Sequence, residues 1–217
     1  MPVPYLTEAE AQALYTTGDA AHDFDHVLRV TRLATLIATA EGADVEVVRL
    51  AALLHDVPRT DAPTAHAARL AHHLAAAQFA GELLLARGMA PERVQNVVHA
   101  IEAHRFRDQT IRPNTVEAKC LYDADKLDSI GAIGVARAFA FAGAHNNRLW
   151  TEPWREAPPD DAKPEGGDYT PVHEFVYKLQ RILATLFTET GRKLGARRHA
   201  AMVAFYDQLD AEMLDLD

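Results

Sequence analysis

An apolar run that ends in an adjacent histidine and aspartate constrains this chain more than any other feature. Residues 51–54 are apolar, and His55 and Asp56 follow them directly. Neighbouring side chains on a helix point about 100° apart, so these two can converge on one ion from adjacent directions. A carboxylate at the end of a buried helix also needs a strong compensating charge. The sequence therefore predicts a divalent metal ion at this point.

Two further residues could complete such a site. His26 lies near the start of an amphipathic segment, and Asp125 lies in an acidic run between Asp123 and Asp128. Two imidazoles and two carboxylates suit Mn, Mg, Fe, Co or Ni better than a structural zinc, which usually recruits thiolates. Each histidine taken alone is better explained as a buried core residue, and only the set favours a metal.

Composition predicts one all-α domain spanning residues 1–217. Strand-like alternation is hard to find, and Ala and Leu dominate a chain of 217 residues that has 7% aromatics. Cys120 is the only cysteine, so no intrachain disulfide can form. The N-terminus lacks a signal-peptide pattern and no apolar stretch is long enough to cross a bilayer, so we expect a cytoplasmic protein without membrane contact.

The formal net charge of −9 argues against stable nucleic-acid binding, because duplex-binding surfaces carry a basic excess. This net charge is compatible with a local basic cluster that binds a small phosphate ester.

Hydrophobic spacing and capping residues predict the helices. Asp25 is expected to cap a helix that ends near Glu41 before Gly42, and Asp44 a helix that ends before Pro58. Further helices are predicted over residues 63–87, 91–107, 114–128 (capped by Asn114), 131–143, 172–193 and 196–214. The Pro- and Gly-rich segment 144–171 is interpreted as a lid or an oligomer contact, with a solvated loop as the alternative.

Three ordered blocks carry a family resemblance. Residues 22–30, 51–56 and 123–134, with a weaker likeness over 173–179, resemble the small single-domain bacterial members of the HD superfamily of metal-dependent phosphohydrolases. The resemblance implies an all-α, single-domain HD-type helical bundle with one divalent metal ion held by His26, His55, Asp56 and Asp125. His99 and His104 could hold a second ion, but a spacing of five places them about 140° apart on a helix, so one ion is predicted.

Charged residues in or beside these blocks are candidates for contact with substrate. The predicted phosphate-binding residues are Arg59, His104, Lys126 and Lys178. Asp61 and Asp128 are the predicted acid or base groups. Each of the phosphate-binding candidates taken alone is better explained as an ordinary surface charge.

The resemblance implies a nucleotide substrate, foremost a (deoxy)nucleoside triphosphate cleaved to a monophosphate and pyrophosphate. A nucleotide monophosphatase is the second interpretation. A non-catalytic nucleotide-binding signalling module and a metal-dependent structural protein are the alternatives from other classes, and a homo-oligomer is compatible with all of them.

Overall fold

The computed structural model describes residues 5–15, 24–57, 65–105 and 110–215, and the regular structure in these ranges is helical, without a strand. This confirms the predicted all-α class. No single helix in the described ranges has both the length and the apolar character that crossing a membrane requires. The α-helices are α1 (Glu8–Gln12), α2 (Phe24–Glu41), α3 (Val45–Leu54), α4 (Ala65–Ala86), α5 (Pro91–Glu102), α6 (Val116–Asp128), α7 (Ala132–Ala144), α8 (Pro171–Tyr177) and α9 (Glu189–Met213).

The chain divides into two compact units. The first contains the described residues up to Asp125 together with Phe187–Gly191, and the second contains Lys126–Leu186 and the described residues from Arg192 onward. The single domain over residues 1–217 stays a prediction.

In the first unit, α3 is the central helix and packs against α1, α2, α4 and α5. Seven of its ten residues are buried, as expected of a helix that several others surround. In α2, Val30, Ala34 and Ile37 form a fully buried stripe at helical spacing. Helices α4 and α5 approach closely at Gly81, where an added Cβ would lie 3.0 Å from Val98 Cγ2. The core of this unit therefore lies around α3.

Side-chain caps explain where several helices begin. The prediction that Asp25 caps α2 was wrong, because the helix begins at Phe24 and Asp25 lies in its first turn. The side chain of Asp44 accepts hydrogen bonds from the N–H groups of the first turn of α3, as predicted. The prediction that Asn114 caps α6 was wrong: the helix begins at Val116, and Thr115 Oγ1 accepts from Ala118 N. The short helix α1 was not predicted, although its capping box of Thr7 and Glu10 is a sequence signal that could have revealed it.

The last third of the chain differs most from the prediction. The helix expected over 172–193 ends at Tyr177, a 3₁₀ segment follows over Leu179–Thr185, and α9 then runs through the break expected near residue 195. The buried carboxylate of Asp123 accepts hydrogen bonds from Phe187 N and Thr188 N. These bonds satisfy two backbone groups directly before α9 begins. This long-range contact places the break between residues 178 and 188.

In the second unit, hydrogen bonds to α8 and α9 hold the Pro- and Gly-rich segment in place. It forms short 3₁₀ turns at Trp154–Glu156, Asp160–Ala162 and Gly166–Asp168. Asp210 of α9 accepts from Trp150 Nε1 at 2.8 Å and from Trp154 N at 2.9 Å, and Tyr177 Oη donates to Pro158 O at 2.7 Å. These bonds describe a loop packed on its own unit, and its interpretation as a lid or an oligomer contact stays a prediction.

Candidate metal centre

Three helices of the first unit bring the four predicted ligands together. His26 lies in the first turn of α2, His55 and Asp56 directly follow α3, and Asp125 lies near the end of α6. His26 Nε2 is 3.7 Å from Asp56 Oδ2 and 3.5 Å from Asp125 Oδ1, and His55 Nε2 is 3.4 Å from Asp56 Oδ2. The side chains of Asp56 and Asp125 are 13% and 15% exposed, so the cluster reaches the surface of the protein.

His55 is oriented by the backbone of its own helix. Its Nδ1 donates to Ala52 O at 2.7 Å, which fixes the neutral tautomer with the lone pair on Nε2. That Nε2 is buried and makes no hydrogen bond of acceptable geometry within the described residues. Burial alone would lower the pKa of His55, but the charges of Asp56 and Asp125 outweigh it and raise this pKa to about 9. The surroundings thus favour a positive charge beside Nε2.

The spacing of the ligand atoms fits a divalent ion. An ion with ligands at about 2.1 Å in octahedral geometry separates neighbouring ligand atoms by about 3 Å and opposite ones by about 4.2 Å. The observed separations of 3.4–3.7 Å lie between these values, and the ligand atoms of His26, His55 and Asp56 all lie within 4.8 Å of one another. The donor set and the unbonded buried Nε2 of His55 therefore fit a metal ion.

His104 lies in the same cluster, beside the second oxygen of Asp56. Its Nε2 is 3.7 Å from Asp56 Oδ1, its ring centroid is 5.2 Å from that of His55, and its Nδ1 is 2.5 Å from Ile101 O. Burial lowers the pKa of His104, against the hydrogen bond and charge of Asp56. A neutral, buried imidazole differs from the exposed cation that a phosphate-binding residue usually supplies.

The histidine that was paired with His104 in the two-metal alternative has another partner. His99 Nε2 accepts a hydrogen bond from Asn114 N at 3.2 Å, which occupies the lone pair that a metal would need. A second ion bound jointly by His99 and His104 therefore has no support in this geometry.

Three of the other predicted site residues belong to the second unit, and two lie outside the described residues. Asp128 is fully buried in the second unit, with its carboxylate 3.6 Å from Arg137 Nη1. Lys178 ends α8, and its Nζ is 2.5 Å from Glu174 Oε1. Lys126 is half-buried and belongs to the second unit. The predicted residues Arg59 and Asp61 lie outside the described residues, and the roles of all five stay predictions.

Sequence reasoning missed two residues near the cluster. His73 of α4 is buried, and its ring centroid is 6.4 Å from that of His104. Tyr15, in the segment after α1, donates a hydrogen bond from Oη to Leu53 O at 2.9 Å. Neither lies in a motif, so only the packing of the helices reveals them.

Comparison with known proteins agrees with this geometry. The family model described as HD domain matches residues 23–130, a range that includes all four predicted ligands. The uncharacterized protein YpgQ of Bacillus subtilis is 32% identical over 209 residues, which cover 95% of this chain and 91% of that protein.

Solved structures extend the likeness over almost the whole chain. The crystal structure of Bacillus subtilis YpgQ in complex with ADP matches with a TM-score of 0.70 and 31% identity, and covers 94% of this chain and 92% of that one. An HD-superfamily hydrolase from Bacillus thuringiensis matches with a TM-score of 0.71 and 26% identity, and covers 95% of this chain and 94% of that one.

Proposed function

This chain belongs to the HD-domain family, and from that premise we propose that it is a metal-dependent phosphohydrolase of nucleotides. The most specific form of the proposal is a (deoxy)nucleoside triphosphate pyrophosphohydrolase, which releases a monophosphate and pyrophosphate. The observation that carries the proposal is the cluster of His26, His55 and Asp56, whose ligand atoms lie within 4.8 Å of one another, with Asp125 Oδ1 3.5 Å from His26 Nε2.

These four residues would hold one divalent ion, which is Mn, Mg, Fe, Co or Ni by the nature of the donor set. When bound, such an ion supplies an activated water and positive charge for phosphoryl oxygens, so no protein nucleophile is needed. The hydrogen bond from His55 Nδ1 to Ala52 O orients the ring and leaves Nε2 as the nitrogen that would bind the ion. The partial exposure of Asp56 and Asp125 leaves the ion open to a substrate on one side.

A nucleotide is the preferred substrate class for two reasons. The structure of YpgQ in complex with ADP belongs to a protein that this chain matches over nearly its full length, which supports binding of a nucleotide here too. A chain with a net charge of −9 also repels a polyphosphate unless a cation is present locally, and the proposed ion provides one. Cleavage between the α- and β-phosphates rests on the resemblance to the small bacterial members of the family.

Two other functions differ from the proposal in measurable ways. A nucleotide monophosphatase would release inorganic phosphate from monophosphates. A non-catalytic signalling module or a metal-dependent structural protein would bind the ion and release nothing. A cytoplasmic location and a homo-oligomer stay predictions beside all of these functions.

A nucleotide panel with defined metals tests the proposal. Metal-stripped protein is given one metal at a time and incubated with nucleoside and deoxynucleoside mono-, di- and triphosphates, and phosphate and pyrophosphate are quantified separately. We expect pyrophosphate from triphosphates, with one ion bound per chain at full activity.

Matched variants identify the site that acts in this assay. Asp56→Asn removes a proposed ligand, whereas Asp44→Asn changes an aspartate at the other end of α3 and should leave activity unchanged. Release of phosphate from monophosphates alone would favour the monophosphatase. Stoichiometric metal binding without any product would favour the non-catalytic alternatives.

A further inference from the structure

Tyr15 joins the two helix ends that carry three of the four proposed ligands. Its Oη donates to Leu53 O, near the end of α3, at 2.9 Å. Its ring lies 5.4 Å, centroid to centroid, from the ring of Phe24, the first residue of α2. His26 follows Phe24 by two residues, and His55 and Asp56 follow Leu53 by two and three. One side chain thus contacts the points from which these ligands project.

The hydrogen bond from Tyr15 completes the end of α3. The last carbonyls of a helix have no partner within it, and buried ones need a donor from elsewhere. Here Ala52 O accepts from His55 Nδ1, Leu53 O accepts from Tyr15 Oη, and Leu54 O accepts from Val57 N. Tyr15 is the donor in this series that comes from a distant part of the chain.

The chemistry of Tyr15 suits a fixed donor. Burial raises the pKa of its hydroxyl well above the usual value, and the charge of Asp56 raises it further. The hydroxyl therefore keeps its proton at all working pH values and continues to donate to the Leu53 carbonyl. Because that proton is directed at a carbonyl, we assign Tyr15 no role as a metal ligand.

We propose that Tyr15 is a positioning residue, which holds the turn after α3 so that His55 and Asp56 meet His26 around one divalent ion. The proposal rests on the metal site of the proposed function. Without the hydroxyl, Leu53 O loses its donor and the turn that carries His55 and Asp56 gains freedom. Groups that orient metal ligands typically contribute about 10- to 100-fold to metal affinity.

Tyr15→Phe removes one oxygen atom, and Tyr177→Phe is its matched control. Tyr177 Oη also donates to a backbone carbonyl, that of Pro158, at 2.7 Å and in the second unit. Mn²⁺ is titrated into the metal-stripped wild-type protein and both variants by calorimetry, and unfolding of the metal-free proteins is followed by circular dichroism. We expect about a tenfold loss of Mn²⁺ affinity in Tyr15→Phe and a change of less than about twofold in Tyr177→Phe, with similar stabilities of the two variants.

The outcomes of this experiment separate the role of Tyr15 from the existence of the metal site. Wild-type affinity in Tyr15→Phe, with the wild-type protein binding Mn²⁺, overturns the role of Tyr15 and leaves the proposed function intact. Failure of the wild-type protein to bind Mn²⁺ or any of the other four metals overturns the site and this proposal with it. If Tyr15→Phe does not fold, Phe24→Leu loosens the same contact from its other side, and unchanged Mn²⁺ affinity in that variant also contradicts the proposal.

Discussion

The two ends of α3 both carry buried or half-buried acidic groups, but the groups are arranged in different ways. At the N-terminal end, Asp44 accepts from Arg93 at 2.8 and 2.9 Å and from two N–H groups of the first turn. Its own N–H donates to Glu117 Oε1 at 2.9 Å, and the second oxygen of Glu117 accepts from Asn96. Every carboxylate oxygen here has a donor at normal hydrogen-bond distance.

At the C-terminal end, acidic and imidazole groups converge at longer separations. Asp56 lies 3.4–3.7 Å from His26, His55 and His104, and Asp125 lies 3.5 Å from His26. A divalent cation among these groups would balance the negative charge of both carboxylates.

The difference shows which kind of evidence separates a structural network from a functional site. Both ends are polar and built from residues distant in sequence, but the C-terminal cluster is the more deeply buried of the two. In the N-terminal network the hydrogen bonds are short and complete, so it stabilises the fold. In the C-terminal cluster the separations of 3.4–3.7 Å are longer than hydrogen bonds and lie within the range that one bound ion would span, so this end is the candidate functional site.

The largest expected effect comes from removing a ligand at the C-terminal end. We predict that His55→Ala, Asp56→Ala and Asp125→Ala each lower kcat/KM for nucleotide hydrolysis by about a thousandfold or more, because a metal ion contributes several kcal/mol to the transition state. Helix content should stay near the wild-type value. Near-normal turnover by a metal-saturated Asp56→Ala protein, measured beside Asp44→Asn, would contradict the site.

Much of the fold and of the candidate site around α3 could be predicted from the sequence, because local sequence patterns determine both. Apolar spacing predicted α2, apolar spacing with the Asp44 cap predicted α3, and the residue types of His26, His55, Asp56 and Asp125 indicated a metal. The break between α8 and α9 could not be predicted, since it depends on hydrogen bonds that Phe187 N and Thr188 N donate to Asp123, more than sixty residues away. The positions of His73, His104 and Tyr15 also follow from helix packing, which no local pattern encodes.

A smaller loss is expected from the predicted phosphate-binding cations. Replacing Arg59 or Lys178 by Gln should leave Mn²⁺ affinity unchanged and remove about 1.5–3 kcal/mol of transition-state stabilisation, the contribution of a charged hydrogen bond. This amounts to about one to two powers of ten in kcat/KM, with the larger loss for triphosphates because they offer more anionic oxygens.

Arg181→Gln is the matched control for Lys178→Gln. Lys178 and Arg181 both form ion pairs in the second unit, with Glu174 and Asp160 respectively. If the two variants lose the same small amount of activity on triphosphates and monophosphates, Lys178 is a surface charge with no contact to substrate.

At the N-terminal end of α3, the expected effect is on stability alone. Asp44→Ala removes a helix cap that is typically worth about 0.5–2 kcal/mol, and it breaks a partly exposed ion pair with Arg93 worth about 0.2–1 kcal/mol. We predict a loss of about 1–2 kcal/mol in the free energy of unfolding, measured with urea, at unchanged Mn²⁺ affinity. A loss of metal affinity comparable to that of Asp56→Ala would show that the two ends of α3 are coupled.

The smallest expected effect is a change with pH in the free energy of unfolding that Asp44 contributes. Burial alone would raise the pKa of Asp44, but hydrogen bonds from Arg93 and Val47 N, with the charge of Arg93, lower it below the usual value. A carboxyl group whose pKa is lower in the folded state contributes stability above its unfolded pKa of about 3.9, and that contribution disappears as the pH falls through the folded value.

The variant Asp44→Asn keeps a capping side chain but cannot titrate. The difference in unfolding free energy between the wild-type protein and Asp44→Asn should therefore be constant from about pH 5 to 7 and shrink below about pH 4. Urea unfolding of both proteins across this range measures the difference, and a gap that stays constant or widens in acid would mean that Asp44 gains nothing from its charge.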